Sequence, residues 1–359
     1  MNFGYFTLSD NRYPHNPRTP EQFVKEIYEQ CVWADNIGMH SAWVGEHHFN
    51  LLGVNSAPHI LLAQLAGATH HIRLAPAIVV LPMHHPLLVA EEWATLDLLS
   101  GGRVDFAAGR GYDTKEYQPI GVSLDNSLEM FREGMDILWQ AWTSEAPISY
   151  HGKWYQFEDI DVRPKPHQKP LRPFVASFSP PTMEMAAKND WNIIYAPFAA
   201  AMMYGSLAEA VKLYQDACAS HSNPPRRANC SYFIHICDSP ADEQYAKEGM
   251  ISYFQDALVD SFPSDLNTAP PTLRYFVEIV NTLNHMDTSK LSTKSVLIGS
   301  VDHIISALKE VEAAGISEVI LYFNVGRKPH AMVMEQMQRF MEEIAPEFDG
   351  AHQEVAIAD

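Results

Sequence analysis

Short apolar runs alternate with longer segments of helical periodicity along this whole chain, and that alternation narrows the fold most. Residues 3–7, 41–45, 72–81, 104–108, 174–177, 193–196, 230–236 and 319–323 read as strands, rich in Val, Ile, Ala and aromatic residues. Between them lie amphipathic stretches at 21–37, 56–68, 87–99, 127–142, 182–188, 206–218, 242–257, 302–314 and 330–343. In the first of these, Phe23, Ile27, Cys31 and Ala34 recur at helical spacing and Gly38 ends the run. Strands that alternate with helices pair in parallel through right-handed crossovers. Eight such units predict an α/β fold, a (β/α)8 TIM barrel, with an open doubly wound sheet as the competing architecture. Residues 261–293 carry Pro263, Pro270 and Pro271 and lack clear periodicity. They read as an insertion with the makings of a mobile lid.

Bulk properties remove several classes of partner. The chain has 359 residues, 47% of them hydrophobic, enough for one large core and a single barrel domain over 1–359. Its net charge of −19 argues against nucleic acid or an anionic membrane, which need basic surface. Cys31, Cys218, Cys230 and Cys237 are scattered, so a reducing cytoplasm fits better than a disulfide framework or zinc ribbon. The start, Met1 to Phe6, reads as a first strand and not as a signal peptide, and the longest apolar stretch, 74–83, is about half of what a bilayer needs.

Glu46-His47-His48-Phe49 directly follows the second strand. In an α/β barrel the carboxyl ends of the strands build active sites, and imidazole is the group best suited to proton transfer near neutral pH. Trp43, Phe49, Leu51, Leu52 and Tyr112 are candidates for an apolar wall, although each suits a core equally. Gly109-Arg110-Gly111-Tyr112 follows the fourth strand; its glycines allow close backbone approach and Arg110 can fork onto an anion. It lacks the third glycine and the helix of a dinucleotide fingerprint. After the fifth strand, Ser179 and Thr182 flank a helix start, placed either to cap it or to add hydroxyl donors to its positive end. Two such loops together form a phosphate site. Small residues at Ala75 and Ala77 give a flat wall for a planar ring. His70-His71 and His84-His85 are neighbouring pairs whose rings diverge, and no metal is expected. Asp97 and Arg103 read as a structural pair at the barrel floor.

Taken in order, these pieces resemble the bacterial luciferase-like flavin monooxygenases, most closely the alkanal monooxygenase branch. The matching stretches are Met1 to Phe6, Glu46 to Phe49, Ala77 to Pro82 with His85-Pro86, Asp97 to Arg103, and Gly109-Arg110-Gly111. Asn126-Ser127, Ser179 with Thr182, Ala186-Ala187, Ile298-Gly299-Ser300 and Ala314 to Ser317 continue the series almost to the end. The resemblance implies the barrel with an insertion, reduced FMN supplied by a separate NAD(P)H:flavin reductase, and a homodimer packed through early helices. It implies O2 addition at the flavin C4a, giving a peroxyflavin that oxidises a small, mostly apolar, carbonyl-bearing substrate. By position it makes His47 the catalytic histidine and Ala77-Ile78 a non-proline cis peptide under the ring. Arg110, Ser179 and Thr182 would then hold the phosphate and Tyr112 would line the cofactor site, while Glu46, His48, Phe49 and Phe178 would line the substrate pocket.

Three departures qualify it. Leu128 stands where the family has a second phosphate arginine, and Arg132, one helical turn on, is the substitute. Phe178 replaces an acid. Gly109 replaces a reactive thiol and leaves more room. The rival readings are an F420-dependent oxidoreductase on the same barrel and a non-catalytic flavin-binding subunit.

Overall fold

A computed structural model describes residues 1–351 apart from 14, 50, 51, 178, 179, 268 and 270. Its strands, in chain order, are β1 (Asn2–Thr7), β2 (Ser41–Val44), β3 (Arg73–Pro76), β4 (Val79–Val80), β5 (Ala107–Gly109), β6 (Ile148–His151), β7 (Gln156–Ile160), β8 (Phe174–Ser177), β9 (Asn192–Tyr195), β10 (Ala228–Ile236), β11 (Val296–Gly299) and β12 (Glu318–Tyr322). The parallel sheet runs β3-β2-β1-β12-β10-β9-β8-β5-β4. Since β3 and β4 are two halves of one stretch, the two ends meet and the barrel closes. A parallel bridge from Leu74 to Val104 ties the seam.

The expected long strand 72–81 is therefore interrupted. The Ala77–Ile78 peptide is cis, which turns the backbone out of the ladder between Pro76 and Val79. The extended stretch near 148–163 forms an antiparallel hairpin of β6 and β7 outside the barrel. A strand not foreseen, β11, pairs in parallel with the C-terminal half of β10, Phe233 facing Val296 and Ile236 facing Gly299.

Side-chain alternation sorts the core into two layers, as the two-residue period of a strand requires. Phe6, Trp43, Ala75, Phe174, Ile194 and Ile320 face inward and belong to the barrel interior. Their neighbours Tyr5, Val44, Leu74, Val175, Ile193 and Val319 face outward into the helix layer. Trp43, one of the expected wall residues, is fully buried in that interior, its ring 5.4 Å from Phe174 edge-on.

The insertion is more ordered than its sequence suggested. Tyr275–Asn284 is an α-helix burying Phe276, Val277, Ile279, Val280 and Leu283. That spacing is one apolar helical face, and the surrounding prolines and threonines masked it. Phe276 packs against Phe262 at 4.6 Å and Tyr112 at 5.3 Å, so the insertion closes over the β5 loop. Among the described residues no helix is long and apolar enough to cross a membrane.

Candidate active site

Glu46, His47 and Arg110 sit where the chain leaves the carboxyl ends of barrel strands. The β2 loop is stapled in place first. Ser9 Oγ accepts from the backbone N–H groups of Val54 and Asn55 at 3.1 Å each, and Asn55 Nδ2 donates to the Gly45 carbonyl at 3.1 Å. His47 N–H donates to the Asn55 carbonyl at 3.1 Å. Gly53 lies so close that a Cβ there would come within 2.5 Å of the His47 side chain. The chain thus places His47 by excluding any side chain beneath it.

His47 is buried, with Nδ1 2.9 Å from Glu116 Oε1. The same oxygen accepts the backbone N–H of His48 at 2.9 Å. An ionised carboxylate only accepts, so this contact puts the proton on Nδ1 and leaves Nε2 as a lone pair. Glu116 lies on the short helix Thr114–Tyr117, whose N-cap Asp113 accepts from Lys115 N–H. Burial pushes the Asp113 carboxyl up to about 6. On the β1 loop, burial pushes Asp10 up to about 7, although the Tyr13 hydroxyl donates to it. Burial thus raises two carboxyls near His47, a kind of perturbation that concentrates at functional sites.

Glu46 borders the cavity and also gathers two imidazoles. Its Oε1 is 2.9 Å from His48 Nε2 and 2.6 Å from His84 Nε2, while Oε2 accepts Val80 N–H at 3.2 Å. These imidazoles hold the Glu46 carboxyl down at about 2 despite its burial. His85, by contrast, caps the helix Pro86–Leu99 by accepting from Leu87 N–H.

The cavity beside these groups is lined by Phe6, Leu8, Ala77, Ile78, Tyr112 and Phe233, with Glu46, His47, Asp113 and Glu116 at one side. Ala77, Ala176, Ala196 and Gly111 keep part of its wall flat and low. The room expected at Gly109 is taken by Ile78, whose Cδ1 would lie 2.8 Å from a Cβ at that position.

The remaining expected residues fall as follows. Arg110 is half-buried at the end of β5; burial lowers its hold on its proton, and Arg132 acts in the same direction. Arg132 itself is exposed. Because β5 pairs with β8, the loop carrying Arg110 adjoins the start of the helix Pro180–Lys188, where Thr182 is half-buried. Ser179, Phe178 and Leu51 lie outside the described residues. Phe49 points away, 65% exposed, and does not line the cavity. Asp97 and Arg103 do not pair: Asp97 accepts from Gln168, and Arg103 donates to the carbonyls of Ala66, Ile72 and Ser100. Sequence reasoning missed Glu116, Asp113 and Asp10. Glu116 lies 69 residues from His47 along the chain, beyond the reach of any local pattern.

A closed parallel barrel with a histidine–carboxylate pair at an apolar mouth defines an enzyme of the TIM-barrel class. Residues 1–318 match the family described as luciferase-like monooxygenase, and the chain belongs to that family of flavin-dependent monooxygenases. It is 26% identical over 341 residues to the oxygenase component of flavin-dependent trigonelline monooxygenase from Acinetobacter baylyi, covering 92% of this chain and 91% of that protein. Three solved structures share the fold. Monooxygenase RslO1 from Streptomyces bottropensis has a TM-score of 0.81 at 23% identity, covering 97% of this chain and 100% of its own. The FMN complex of the oxygenating constituent of 3,6-diketocamphane monooxygenase from Pseudomonas putida scores 0.74 at 20%, covering 96% and 98%. An F420-dependent secondary alcohol dehydrogenase scores 0.72 at 17%, covering 96% and 98%.

Proposed function

We propose that this chain is the FMNH2-dependent oxygenase of a two-component system, oxidising a small, mostly apolar, carbonyl-bearing substrate with O2. The observation that carries the reading is His47 on the cavity wall, its Nδ1 anchored by Glu116. When bound, reduced FMN would supply the reducing electrons and the ring at which O2 is activated. Ala77, Ile78 and Tyr112 would bound the ring, and Arg110, Thr182, Ser179 and Arg132 would hold the phosphate. A phosphate monoester carries the charge that two neighbouring guanidinium groups complement.

The protein's own part is exclusion of water and control of one proton. Phe6, Leu8, Phe233, Leu258 and Phe262 keep the cavity apolar, which protects reactive oxygen chemistry from hydrolysis. His47 Nε2 accepts a proton from the reacting group, Glu116 steadies the resulting imidazolium, and the same nitrogen returns the proton. The Tyr253 hydroxyl is buried and has no partner among the described residues, and burial keeps it protonated. Tyr253 lines the cavity and offers a donor for a substrate oxygen, which supports a carbonyl.

A separate NAD(P)H:flavin reductase would deliver FMNH2. The helices Pro58–Ala68 and Pro86–Leu99 leave Ile60, Leu88 and Leu99 exposed, which supports a homodimer through that face. Four buried free thiols suit the cytoplasm.

Anaerobic titration with FMNH2 and with reduced F420, followed by 18O2 and mass spectrometry over aldehydes, ketones and aromatics, tests the proposal. Tight FMNH2 binding with one labelled oxygen in the product is expected. Hydride transfer from F420 without O2 consumption rejects it.

A further inference from the structure

The structure also brings together a ligand set that the sequence had argued against. Neighbouring histidines diverge, but His48 and His84 come from different loops, after β2 and β4, and both turn Nε2 toward Glu46 Oε1. We propose that Glu46, His48 and His84 form a binding site for a first-row divalent cation of the Zn(II) class. The three ligand atoms lie within 4.8 Å of one another. Two imidazoles and one carboxylate are the donors such ions prefer, at about 2.0–2.2 Å each.

The surroundings are those of a metal site. Glu46 Oε2 is held by Val80 N–H, an outer contact that leaves Oε1 aimed at both rings. Glu46 is 3% exposed, whereas His48 and His84 are half-buried, so the cation has a solvent side for entry and for a water as fourth ligand. A cation here would take the place of the two hydrogen bonds that now join the imidazoles to Oε1. The spacings of 2.6 and 2.9 Å need to widen only slightly to admit it.

Among the described residues one other such trio exists, His235, Cys237 and Asp242. It is the poorer candidate. Cys237 Sγ is hydrogen-bonded to the His235 carbonyl and its thiol is pushed up to about 12. The buried Lys328 ammonium also stands near enough to repel a cation.

The experiment uses full-length, chelator-treated protein titrated with Co(II) and Zn(II), read by calorimetry and by the visible ligand-field bands of Co(II). It needs no flavin and no turnover, so it succeeds or fails independently of the oxygenase reading. The expected result is one ion per chain, with affinity reduced by about tenfold or more in His84→Asn and in His48→Asn and unchanged in Cys237→Ser. Circular dichroism of each variant confirms folding. Absence of stoichiometric binding, equal affinity in the histidine variants, or a thiolate charge-transfer band lost in Cys237→Ser would each overturn the assignment.

Discussion

The two ends of the barrel use the same residue types to opposite effect. At the amino ends of the strands, Asp105 accepts from Arg73 at 2.7 Å and from Arg227 at 3.1 Å, and Arg227 reaches Glu318 at 2.9 Å. Ser41 and Asn229 also donate to Glu318, so both oxygens of each carboxylate are engaged. The two arginines hold the Asp105 carboxyl well below the usual range. At the carboxyl ends, among the described residues, Asp10 has one oxygen without a partner, Asp113 and Asp10 are pushed upward, and Lys328 is buried against two carbonyls without a carboxylate in ion-pair range. Where charges saturate one another they stabilise; where they are left short of partners they can exchange protons with a substrate.

Breaking one group at each end sharpens this contrast. His47→Asn should slow turnover about 10²–10⁴-fold, the usual share of a general acid–base group. Its urea midpoint should move little. Asp105→Ala should do the reverse, lowering folding stability by about 3–5 kcal/mol because Arg73 loses its ion-pair partner and Arg227 one of its two. Urea unfolding measures it, and a loss under 1 kcal/mol would show that the floor does not depend on that pair.

Lys328 allows a subtler test. Burial lowers it from 10.5 to about 7. Between those values the unfolded chain binds more protons than the folded one, so this group makes stability rise with pH across that window. Below 7 both states are protonated and the folded state bears the full cost of burying the ammonium. Lys328→Met should therefore flatten the rise between pH 7 and 9, the gap from the parent protein changing by roughly 1–2 kcal/mol. An unchanged slope would mean the ammonium is solvated inside. The smallest effect belongs to Arg132→Ala, exposed and helping only through charge. It should weaken FMN binding by about 1 kcal/mol, less at high salt; a loss as large as that of Arg110→Ala would give it an equal share.

Legibility from sequence followed distance along the chain. The strands near 3–7, 41–45 and 174–177 and the helices near 21–37 and 127–142 could be read because their patterns are local, short apolar runs where a strand is buried on both faces and a helical period where a helix is buried on one. Glu46-His47-His48 and Gly109-Arg110-Gly111 could be placed because they follow strands directly. The helix Tyr275–Asn284 carried the same kind of signal but lay among prolines that overrode it.

What the amino-acid order determined alone was the succession of elements, hence a parallel barrel, and the kinds of side chain delivered to its mouth. Which of them meet was decided only in three dimensions. Glu116 reaches His47 across 69 residues, and His84 reaches Glu46 across 38. Such partners carry no shared period, because closing the barrel brings together loops that chain distance keeps apart. Both Glu46 and Asp10 are buried, and the two imidazoles that hold one carboxyl near 2 while the other rises to about 7 are likewise supplied by the closed barrel and by no short segment.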